Sequence, residues 1–533
     1  MADPSFPLVV RNDWRALSPP PLAGWRPTSS VSVIIPAYNC QWCLDLALAG
    51  LARQTYPAGL LEVVVVDDGS EPKLELPEVA PPNTRIVRAP DHSTGWGRAN
   101  ALRVGAAVSD GEILQWLDAD LLPFPEHVAA QARWHAVAPE VVTLGYKRFV
   151  RGGWPTPAEE DWPTPAEVAD PGRSIETLFP PALAEPHDYV EELIEATDRL
   201  RAADHLAFRA HVGATAALRR ELYLAAGGVD PSLRLGEDNE LGYRLAQAGA
   251  VFVPEPRSRS WHLGPSHAMT VGERQRRYNR PFLADRMPQP RWLRGSGNRI
   301  WAVPLVVAVV EVADDDPYEQ VRECVDRLLA SEETDLRVVL VGDWEGLPDA
   351  RPAGRRPVLA DPLLDRRLIA ATYRSEPRVS FAGAAPQTAF PSPYLLRVPA
   401  RVGVGRSAVR RLVAEADARR LGLLRLLPAR RGAGVSPPVV ELWRTAAVSR
   451  ARRRQRAGEP LADLVAAVWG AGWTSGPEFG VVDLATAPAP GPAAPAPAPV
   501  PVAGLRSLLR ATGYVGRLAA ARVRRRLLTA VVR

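Results

Sequence analysis

From Val31 onward, short apolar runs typical of β-strands alternate with longer segments of helical pattern. The strand-like runs VSVIIP (31–36) and LEVVVVDD (61–68) flank the helix-like segment WCLDLALAGLARQ (42–54). RANALRVGAAVS (98–109) is again helix-like, and the strand-like EILQWLDAD (112–120) follows it. Strands that alternate with helices are typical of crossover connections, which place neighbouring strands parallel. The alternation therefore predicts an α/β fold with a mostly parallel, Rossmann-like central sheet.

Composition shifts divide the chain into five predicted parts. At 533 residues the length is typical of two to four domains at ~150 residues each. The predicted parts are a Pro-rich arm at 1–30, a catalytic α/β domain at 31–298, a second, smaller and non-catalytic α/β domain at 299–485, a Pro-Ala linker at 486–502 and a basic amphipathic helix at 503–533. Within the first domain, the Pro- and Trp-rich residues 150–185 are predicted to form a long surface excursion.

The second α/β domain opens with the same order of elements as the first. LVVAVVEV, YEQVRECVDRLLAS and LRVVLVGDW repeat the strand, helix and strand of VSVIIP, the first helix and LEVVVVDDGS at a similar spacing. Two interpretations stay open: a degenerate internal repeat, or an ordinary strand–helix–strand unit of the kind that α/β proteins form repeatedly.

Charge and cysteine content narrow the class of protein. The net charge of +5 is small for this length, and lysine occurs only at Lys73 and Lys147, so nucleic acid is not an expected partner. Three cysteines without a signal peptide predict a cytoplasmic protein with no disulfide framework. The last 31 residues combine leucine and valine with arginine and contain no acid, which is typical of a helix that binds an anionic membrane or docks on a protein.

Three predicted strands end in polar residues at the edge of the sheet where α/β proteins bind ligands. The first ends in Pro36-Ala37-Tyr38, the second in Asp67-Asp68 and a later one in Asp118-Ala119-Asp120. Two carboxylates so close together are costly unless a cation compensates them. A metal ion, an arginine or water could each do so, and the residues alone leave the choice open.

The first half of the chain resembles the nucleotide-binding half of family 2 glycosyltransferases, which have the GT-A fold. The resemblance rests on VSVIIPAYN, LEVVVVDDGS, GWGRAN and ILQWLDADLLP, and continues through the segment at 211–264, HVGATAAL to SWHLG. It covers about residues 30–285. One departure is that the arginine of RAN stands one place earlier than in the family's usual Ala-Arg-Asn, which leaves the role of Arg98 open.

The resemblance implies a role for each matching residue. The metal, Mn²⁺ or Mg²⁺, would be held by Asp118, Asp120 and His262. The catalytic pair would be Glu237 and Asp238, with Asp238 as the base. The donor nucleotide sugar, expected to be a UDP-sugar, would contact Pro36, Ala37, Tyr38, Asp67, Asp68, Arg98, Asn100, Asp118, Ala119, Gly213, Ala214 and Thr215.

The resemblance thus implies inverting, metal-dependent transfer of a sugar to a hydroxyl acceptor, such as a bacterial cell-wall or surface polysaccharide or another glycoconjugate. Two alternatives are a non-catalytic scaffold that binds sugar nucleotides and a nucleotidyltransferase. The expected location is cytoplasmic, with peripheral membrane contact through residues 503–533.

Other residues with reactive side chains are expected to be structural. Cys40 and Cys43 have redox or zinc spacing but no second cysteine pair. His127 and His135 are expected to be solvated or packed on the helix after the Asp-x-Asp strand. Trp162, in the Pro-rich excursion, could either stack on an acceptor sugar or anchor that loop.

Overall fold

The computed structural model describes residues 6–89, 95–150, 162–180, 182, 184–265, 267–295, 299–345, 347, 358–427 and 439–484. The predicted linker and C-terminal helix lie outside these residues, so their predictions stay predictions. Both sheets of the described part lie within one compact unit. None of the helices described is both long and apolar enough to cross a membrane.

The first α/β region contains nine strands and eight helices. The strands are β1 (Val31–Ala37), β2 (Leu61–Asp67), β3 (Thr84–Arg88), β4 (Ile113–Leu117), β5 (Leu121–Pro123), β6 (Val141–Val150), β7 (Ala184–Glu185), β8 (Thr215–Arg219) and β9 (Val251–His262). The helices are α1 (Gln41–Ala52), α2 (Arg98–Val108), α3 (His127–Ala132), α4 (Pro165–Ala169), α5 (Asp188–Ala196), α6 (Arg220–Ala225), α7 (Glu237–Gln247) and α8 (His267–Arg286).

The strand order of the first sheet places a crevice at the carboxyl ends of β1, β2 and β4. The order is β3-β2-β1-β4-β8-β6-β9-β5, with β7 added to β6. The first four strands are parallel, and β1 pairs with β2 on one side and β4 on the other. The connection after β1 leads to β2 on one side, whereas β4 lies on the other side and is reached from β3. The strand order therefore reverses beside β1, and ligands bind at such a point. The apolar runs of β1, β2 and β4 are buried, which fixes their polar ends at this edge.

The second α/β region contains nine further strands and five helices. The strands are β10 (Val306–Glu311), β11 (Leu336–Val341), β12 (Val379–Ala382), β13 (Tyr394–Arg397), β14 (Val402–Gly403), β15 (Leu423–Leu427), β16 (Val440–Arg444), β17 (Ala471–Ser475) and β18 (Val482–Asp483). The helices are α9 (Tyr318–Leu329), α10 (Leu364–Tyr373), α11 (Ala408–Ala418), α12 (Thr445–Arg454) and α13 (Leu461–Val468). Seven strands form one sheet, and β14 and β18 form a small separate one. The predicted α/β class with a second α/β region is confirmed.

Two segments that were expected to lie on the surface are packed against the first sheet. In the predicted excursion, the side chains of Val168, Ile175 and Phe179 are buried together with residues of α1 and β9. Trp162 makes edge contacts with Trp42 and Phe179, as anchoring rather than sugar stacking requires. The surface prediction for the described part of this segment is wrong because its apolar side chains cover the outer face of α1.

Arm residues are also buried. Asn12, in the predicted N-terminal arm, donates to the carbonyls of Leu200 and Phe252 at 2.9 Å each. Trp14 lies edge-on to Trp134, with ring centroids 5.6 Å apart. The described part of the arm is irregular, as predicted, and it is anchored by buried hydrogen bonds rather than loose.

The two histidines after the Asp-x-Asp strand are packed, not solvated. His127 and His135 are fully buried. Burial lowers the pKa of His127 to about 4. Burial, together with the nearby Arg219 guanidinium, lowers the pKa of His135 to about 3. Both rings are therefore neutral in the folded protein at pH 7.

These depressed pKa values predict acid destabilisation. Below about pH 6.5 the unfolded chain binds protons that the folded protein excludes, so the free energy of unfolding should fall with pH until about pH 3. Between its unfolded and folded pKa values, each of these histidines should lower the free energy of unfolding by about 1.4 kcal/mol per pH unit. Urea unfolding at pH 7 and pH 5 checks this. His135→Leu should lose less stability between the two pH values than the wild-type protein. An equal loss in both proteins would contradict the prediction for His135.

Candidate active site

A cavity of about 690 Å³ lies at the carboxyl ends of β1, β2 and β4. It is bordered by the polar strand ends and the first turn of α1, which follow directly from the buried strands. Eight of the residues predicted for the donor site or metal line it: Pro36, Ala37, Tyr38, Asp68, Arg98, Asp118, Ala119 and Asp120. The structure thus brings together residues that are up to 84 positions apart in the sequence (from 36 to 120).

Arg98, the first residue of α2, contacts both Asp118 at the end of β4 and Glu237 of the predicted catalytic pair. Its Nε and Nη2 atoms lie 2.8 Å from Asp118 Oδ1, and its Nη1 donates to Glu237 Oε1 at 2.8 Å. Burial lowers the pKa of Arg98, but the carboxylates of Asp118, Glu237 and Asp238 outweigh it and raise that pKa above its usual value. An arginine is therefore the cation that compensates Asp118 in this arrangement.

Asp120 lies deeper and faces His262. Its Oδ2 is 3.6 Å from His262 Nε2, and its Oδ1 is buried with no hydrogen-bond partner among the described residues. Burial raises the pKa of Asp120, while His262 and Lys147 oppose that rise. The second ring nitrogen of His262 lies 3.0 Å from the Gly264 carbonyl oxygen, which orients the ring towards Asp120.

The predicted ligands Asp118, Asp120 and His262 are not assembled as a set. Within the described ranges, no three His, Cys, Asp or Glu side chains are close enough to hold a metal ion together. The physical reason is that Arg98 holds Asp118. Asp120 and His262 still provide an oxygen and a nitrogen donor facing each other, and the unpartnered Oδ1 suits a cation. These two residues fit a divalent metal, and Asp118 contacts Arg98 through its Oδ1.

The predicted catalytic pair begins helix α7. Gly236 precedes the helix in a left-handed conformation (φ 81°), which glycine adopts without steric cost. Glu237 is buried, and burial raises its pKa although the Arg98 guanidinium opposes this. Asp238 Oδ1 accepts from the Asn239 backbone N–H at 2.7 Å, and Oδ2 accepts from the Gly213 N–H at 3.3 Å. Glu237 is thus held by an ion pair with Arg98. Among the described residues, Asp238 Oδ2 accepts the longer of these two hydrogen bonds, from the Gly213 N–H.

Gly213 lies between Arg98 and Asp238 with no space for a side chain. A Cβ atom at this position would lie 2.9 Å from both terminal guanidinium nitrogens of Arg98 and 3.1 Å from Asp238 Cβ. The resemblance implied that Gly213 contacts the donor. The structure shows that the close approach is to the arginine and the aspartate.

We expect Gly213→Ala to lower turnover by up to about a hundredfold, because Arg98 is held by two carboxylates and a small displacement at a reacting centre is costly. Gly59→Ala is a matched control, since a Cβ there meets nothing within 4 Å. Initial rates of both variants check this. Equal rates in the two would show that Arg98 and Asp238 accommodate the methyl group.

Besides Gly213, four residues predicted to contact the donor do not line the cavity. Asp67 accepts from the Ser70 N–H at 2.7 Å and from Arg88 at 3.0 Å. Asn100 donates to the Gly95 carbonyl at 3.1 Å. Ala214 is buried in the core, but its carbonyl accepts from the Asp118 N–H at 3.2 Å. These residues shape the loops that carry the cavity residues.

Thr215 completes this set. Its hydroxyl lies 3.1 Å from the Gln131 side-chain nitrogen and 3.0 Å from His127 Nε2, within a buried polar network under the sheet. The predicted contact between Thr215 and the donor is not favoured by this geometry, because the hydroxyl already contacts Gln131 and His127.

Two residues near the site were missed by sequence reasoning. Lys147 on β6 is buried, and burial lowers its pKa although the carboxylates of Asp118 and Asp120 oppose this. Trp96 packs edge-on against Tyr38, with ring centroids 5.6 Å apart and planes at 89°. Lys147 is one of only two lysines, and Trp96 stands between two glycines in GWGRAN; these were the available signals.

The two cysteines of the CxxC segment line the cavity but are not activated. Both are free thiols. Burial raises the pKa of Cys40 to about 11 and that of Cys43 further. A redox or zinc-binding cysteine needs a lowered thiol pKa, so the geometry agrees with the structural role expected for this pair.

Residues 32–215 match the family model described as Glycosyl transferase family 2. Chondroitin synthase from Escherichia coli is 25% identical over 326 residues, covering 59% of this chain and 46% of that protein. Validoxylamine A glucosyltransferase from Streptomyces hygroscopicus subsp. limoneus is 36% identical over 117 residues, covering 22% of this chain and 26% of that protein.

Among solved structures, the mannosyltransferase PcManGT from Pyrobaculum calidifontis, in complex with GDP-Man and Mn²⁺, is 21% identical with a TM-score of 0.33. The alignment covers 55% of this chain and 69% of that one. The chain spans less than half the length of the two curated relatives named above.

Proposed function

We propose that this chain, whose residues 32–215 match the family model described as Glycosyl transferase family 2, transfers a sugar from a nucleotide-diphosphate sugar to a hydroxyl acceptor with inversion of the anomeric centre. The observation that carries the proposal is the bridge made by Arg98. It connects Asp118 at the donor-side strand end to Glu237 at the start of α7, with ion-pair distances of 2.8 Å on both sides. A donor cleft and a carboxylate pair for the acceptor therefore adjoin.

The cavity suits a nucleotide at its open side and a diphosphate at its deep side. Tyr38 is 50% exposed and Trp96 40% exposed at the mouth, so both offer ring surface to a nucleobase. Asp68 lines the same cavity, and a carboxylate oxygen can accept an imide N–H of uracil. We propose a UDP-sugar on this basis. At the deep side, Arg98 offers positive charge to phosphate oxygens, and the buried Lys147 interacts electrostatically with Asp118 and Asp120.

A divalent cation, Mn²⁺ or Mg²⁺, would be held by Asp120 and His262, with Asp118 as a further candidate. When bound, it would neutralise charge that develops on the departing diphosphate. Arg98 supplies a fixed positive charge beside the same oxygens. Its contacts with Asp118 and Glu237 keep it oriented before any substrate arrives, which avoids reorganisation during the reaction.

Asp238 is the proposed general base. The Gly213 and Asn239 backbone N–H groups orient its carboxylate, and Glu237 is already engaged by Arg98. Asp238 would accept the proton of the acceptor hydroxyl as that oxygen attacks the anomeric carbon from the face opposite the leaving group. The bond to the diphosphate oxygen breaks as the new glycosidic bond forms, so a single displacement inverts the configuration. The proposed acceptor is a polysaccharide or other glycoconjugate hydroxyl.

A screen of nucleotide sugars tests this function. The full chain is incubated with UDP-, GDP- and dTDP-sugars, with Mn²⁺ or with a chelator, and release of the nucleoside diphosphate is followed. We expect slow, cation-dependent hydrolysis of one donor, with water in place of the acceptor. Release of pyrophosphate from a nucleoside triphosphate and sugar phosphate, with no hydrolysis of any donor, would instead support a nucleotidyltransferase.

A further inference from the structure

The main sheet of the second α/β region repeats the strand order of the first. The first sheet runs β3-β2-β1-β4-β8-β6-β9, and the second runs β12-β11-β10-β13-β16-β15-β17. The directions of the pairings also agree along both sheets: three parallel pairings, then two antiparallel ones, then one parallel one.

The registers agree as well. Val31 of β1 lies opposite Leu61 of β2, and Val306 of β10 lies opposite Leu336 of β11. The separation is 30 residues in both pairs (61 − 31 and 336 − 306). One strand–helix–strand unit could share this spacing by chance, but seven strands with the same order, directions and starting register indicate a repeat of the whole sheet.

The second sheet lacks the catalytic carboxylates of the first. Val31 pairs with Ile113 and Val306 pairs with Tyr394. Asp118 stands five residues after Ile113, whereas Pro399 stands five residues after Tyr394. By the same count, Arg401 replaces Asp120, since both stand seven residues after the paired position.

Two further features of the second sheet differ from the first. Helix α13 leads into β17 as α7 leads into β9, but it begins with Leu461-Ala462 in place of the Glu-Asp pair. At the carboxyl ends of β10 and β11, the guanidinium of Arg366 pairs with Asp314 and lies 3.9 Å from Asp343. An arginine of the chain itself therefore occupies the edge where the first sheet has its cleft.

Helix α12 of the second region binds the C-terminal end of α7, the helix that begins with Glu237 and Asp238. Arg450 Nε donates to the Gly249 carbonyl at 2.9 Å, and its Nη2 donates to the Ala250 carbonyl at 2.7 Å. Arg453 Nε donates to the Ala248 carbonyl at 3.3 Å. These carbonyls belong to the C-cap residue and the two residues after it, and the N–H groups of the same three residues donate to carbonyls of the last turn of α7.

Arg450 and Gly249 are tightly packed against each other. Arg450 is 1% exposed, and a Cβ on Gly249 would lie 2.8 Å from the Arg450 backbone nitrogen. A second contact holds the middle of the same helix, where the Tyr243 hydroxyl donates to the Pro391 carbonyl at 2.6 Å. Helix α7 is therefore held from the second region at two points along its length.

We infer that the second α/β region is a degenerate copy of the catalytic sheet that now positions α7, with Arg450 as the principal positioning residue for Asp238. The inference rests on the proposed function for the role of Asp238. Without the second region, the turn that ends α7 would lose these arginine donors, and the helix could shift along its axis. A shift of that kind would move Asp238 relative to Gly213 and Arg98.

Arg450→Met and Arg452→Met in the full chain test the inference. Both arginines are on α12, but Arg452 donates to Gln387 within the second region. Hydrogen exchange of amides in 237–247 should become at least tenfold faster in Arg450→Met and stay unchanged in Arg452→Met. Turnover should fall at least tenfold in the first variant only. Binding of UDP with Mn²⁺ should be unchanged in both, because the donor cleft is built on other elements.

Tyr243→Phe serves where Arg450→Met fails to fold. It removes only the hydroxyl that contacts Pro391, and we expect a smaller change of the same kind: faster exchange in α7 and a lower kcat at an unchanged donor KM. Arg450→Lys, which retains the charge, should recover part of the lost turnover. Unchanged exchange in α7 for both Arg450→Met and Tyr243→Phe would overturn the inference. Faster exchange in α7 together with no transfer activity in the wild-type protein would refute the proposed function. The inference that the second region holds α7 would still stand.

Discussion

Asp238→Asn should lower the rate of sugar transfer by about 10²–10⁴ while donor binding stays close to that of the wild-type protein. Asparagine has the shape of aspartate but cannot accept the acceptor's proton. It can still accept the hydrogen bond from the Asn239 N–H at 2.7 Å, and it loses only the longer contact with the Gly213 N–H at 3.3 Å. The start of α7 should therefore keep its structure. Initial rates and calorimetric titration with UDP and Mn²⁺ measure the two quantities separately.

Glu237→Gln is the matched variant of the neighbouring carboxylate. Glu237 pairs with Arg98, so its loss should loosen Arg98 and weaken donor binding, with a smaller direct effect on turnover than Asp238→Asn. If the two variants exchange these effects, Glu237 is the base. If neither variant slows transfer to a working acceptor, the pair only begins the helix. Product configuration, read from NMR coupling constants, is an independent check: retention would rule out single displacement whatever the variants show.

Asp120→Ala should remove the cation dependence of donor binding and weaken UDP binding in Mn²⁺ at least tenfold. The expectation rests on the buried, unpartnered Oδ1 of Asp120 and on His262 at 3.6 Å from its Oδ2. Isothermal titration with UDP, with and without Mn²⁺, measures the effect. Removal of a metal ligand or of a group that supports one commonly costs tenfold or more in metal affinity.

Asp110→Ala is the control for this variant. Asp110 is an exposed carboxylate at the opposite end of β4, before the strand begins. It should retain both the affinity and the cation dependence of the wild-type protein. Equal, cation-independent affinity in the wild-type protein and in Asp120→Ala would remove the metal from the proposed mechanism. The charge on the diphosphate would then be compensated by Arg98 and Lys147 alone.

The amino-acid sequence by itself determined the class of fold and the edge of the sheet where the site lies. Apolar runs that end in Tyr38, Asp68 and Asp118 specify strands whose burial is local and whose carboxyl ends must share one edge. Alternation of strands and helices is a short-range pattern, so it could be interpreted without knowledge of distant contacts. The same pattern left open whether the second α/β region is a repeat or an ordinary strand–helix–strand unit, and our inference of a repeat rests on the strand order of its sheet.

Only the tertiary structure decided which charges meet. Arg98 and Glu237 are 139 positions apart, and their ion pair depends on the loop before α2 and the start of α7 reaching the same point above the sheet. Asp67 is next to Asp68 and of the same residue type, yet it is held inside its own turn by Ser70 and Arg88. The contacts of Arg450 with the end of α7 depend on the packing of two sheets. Periodicity encodes which face of an element is buried, but the partner on that face is set by strand order, register and packing across the whole chain.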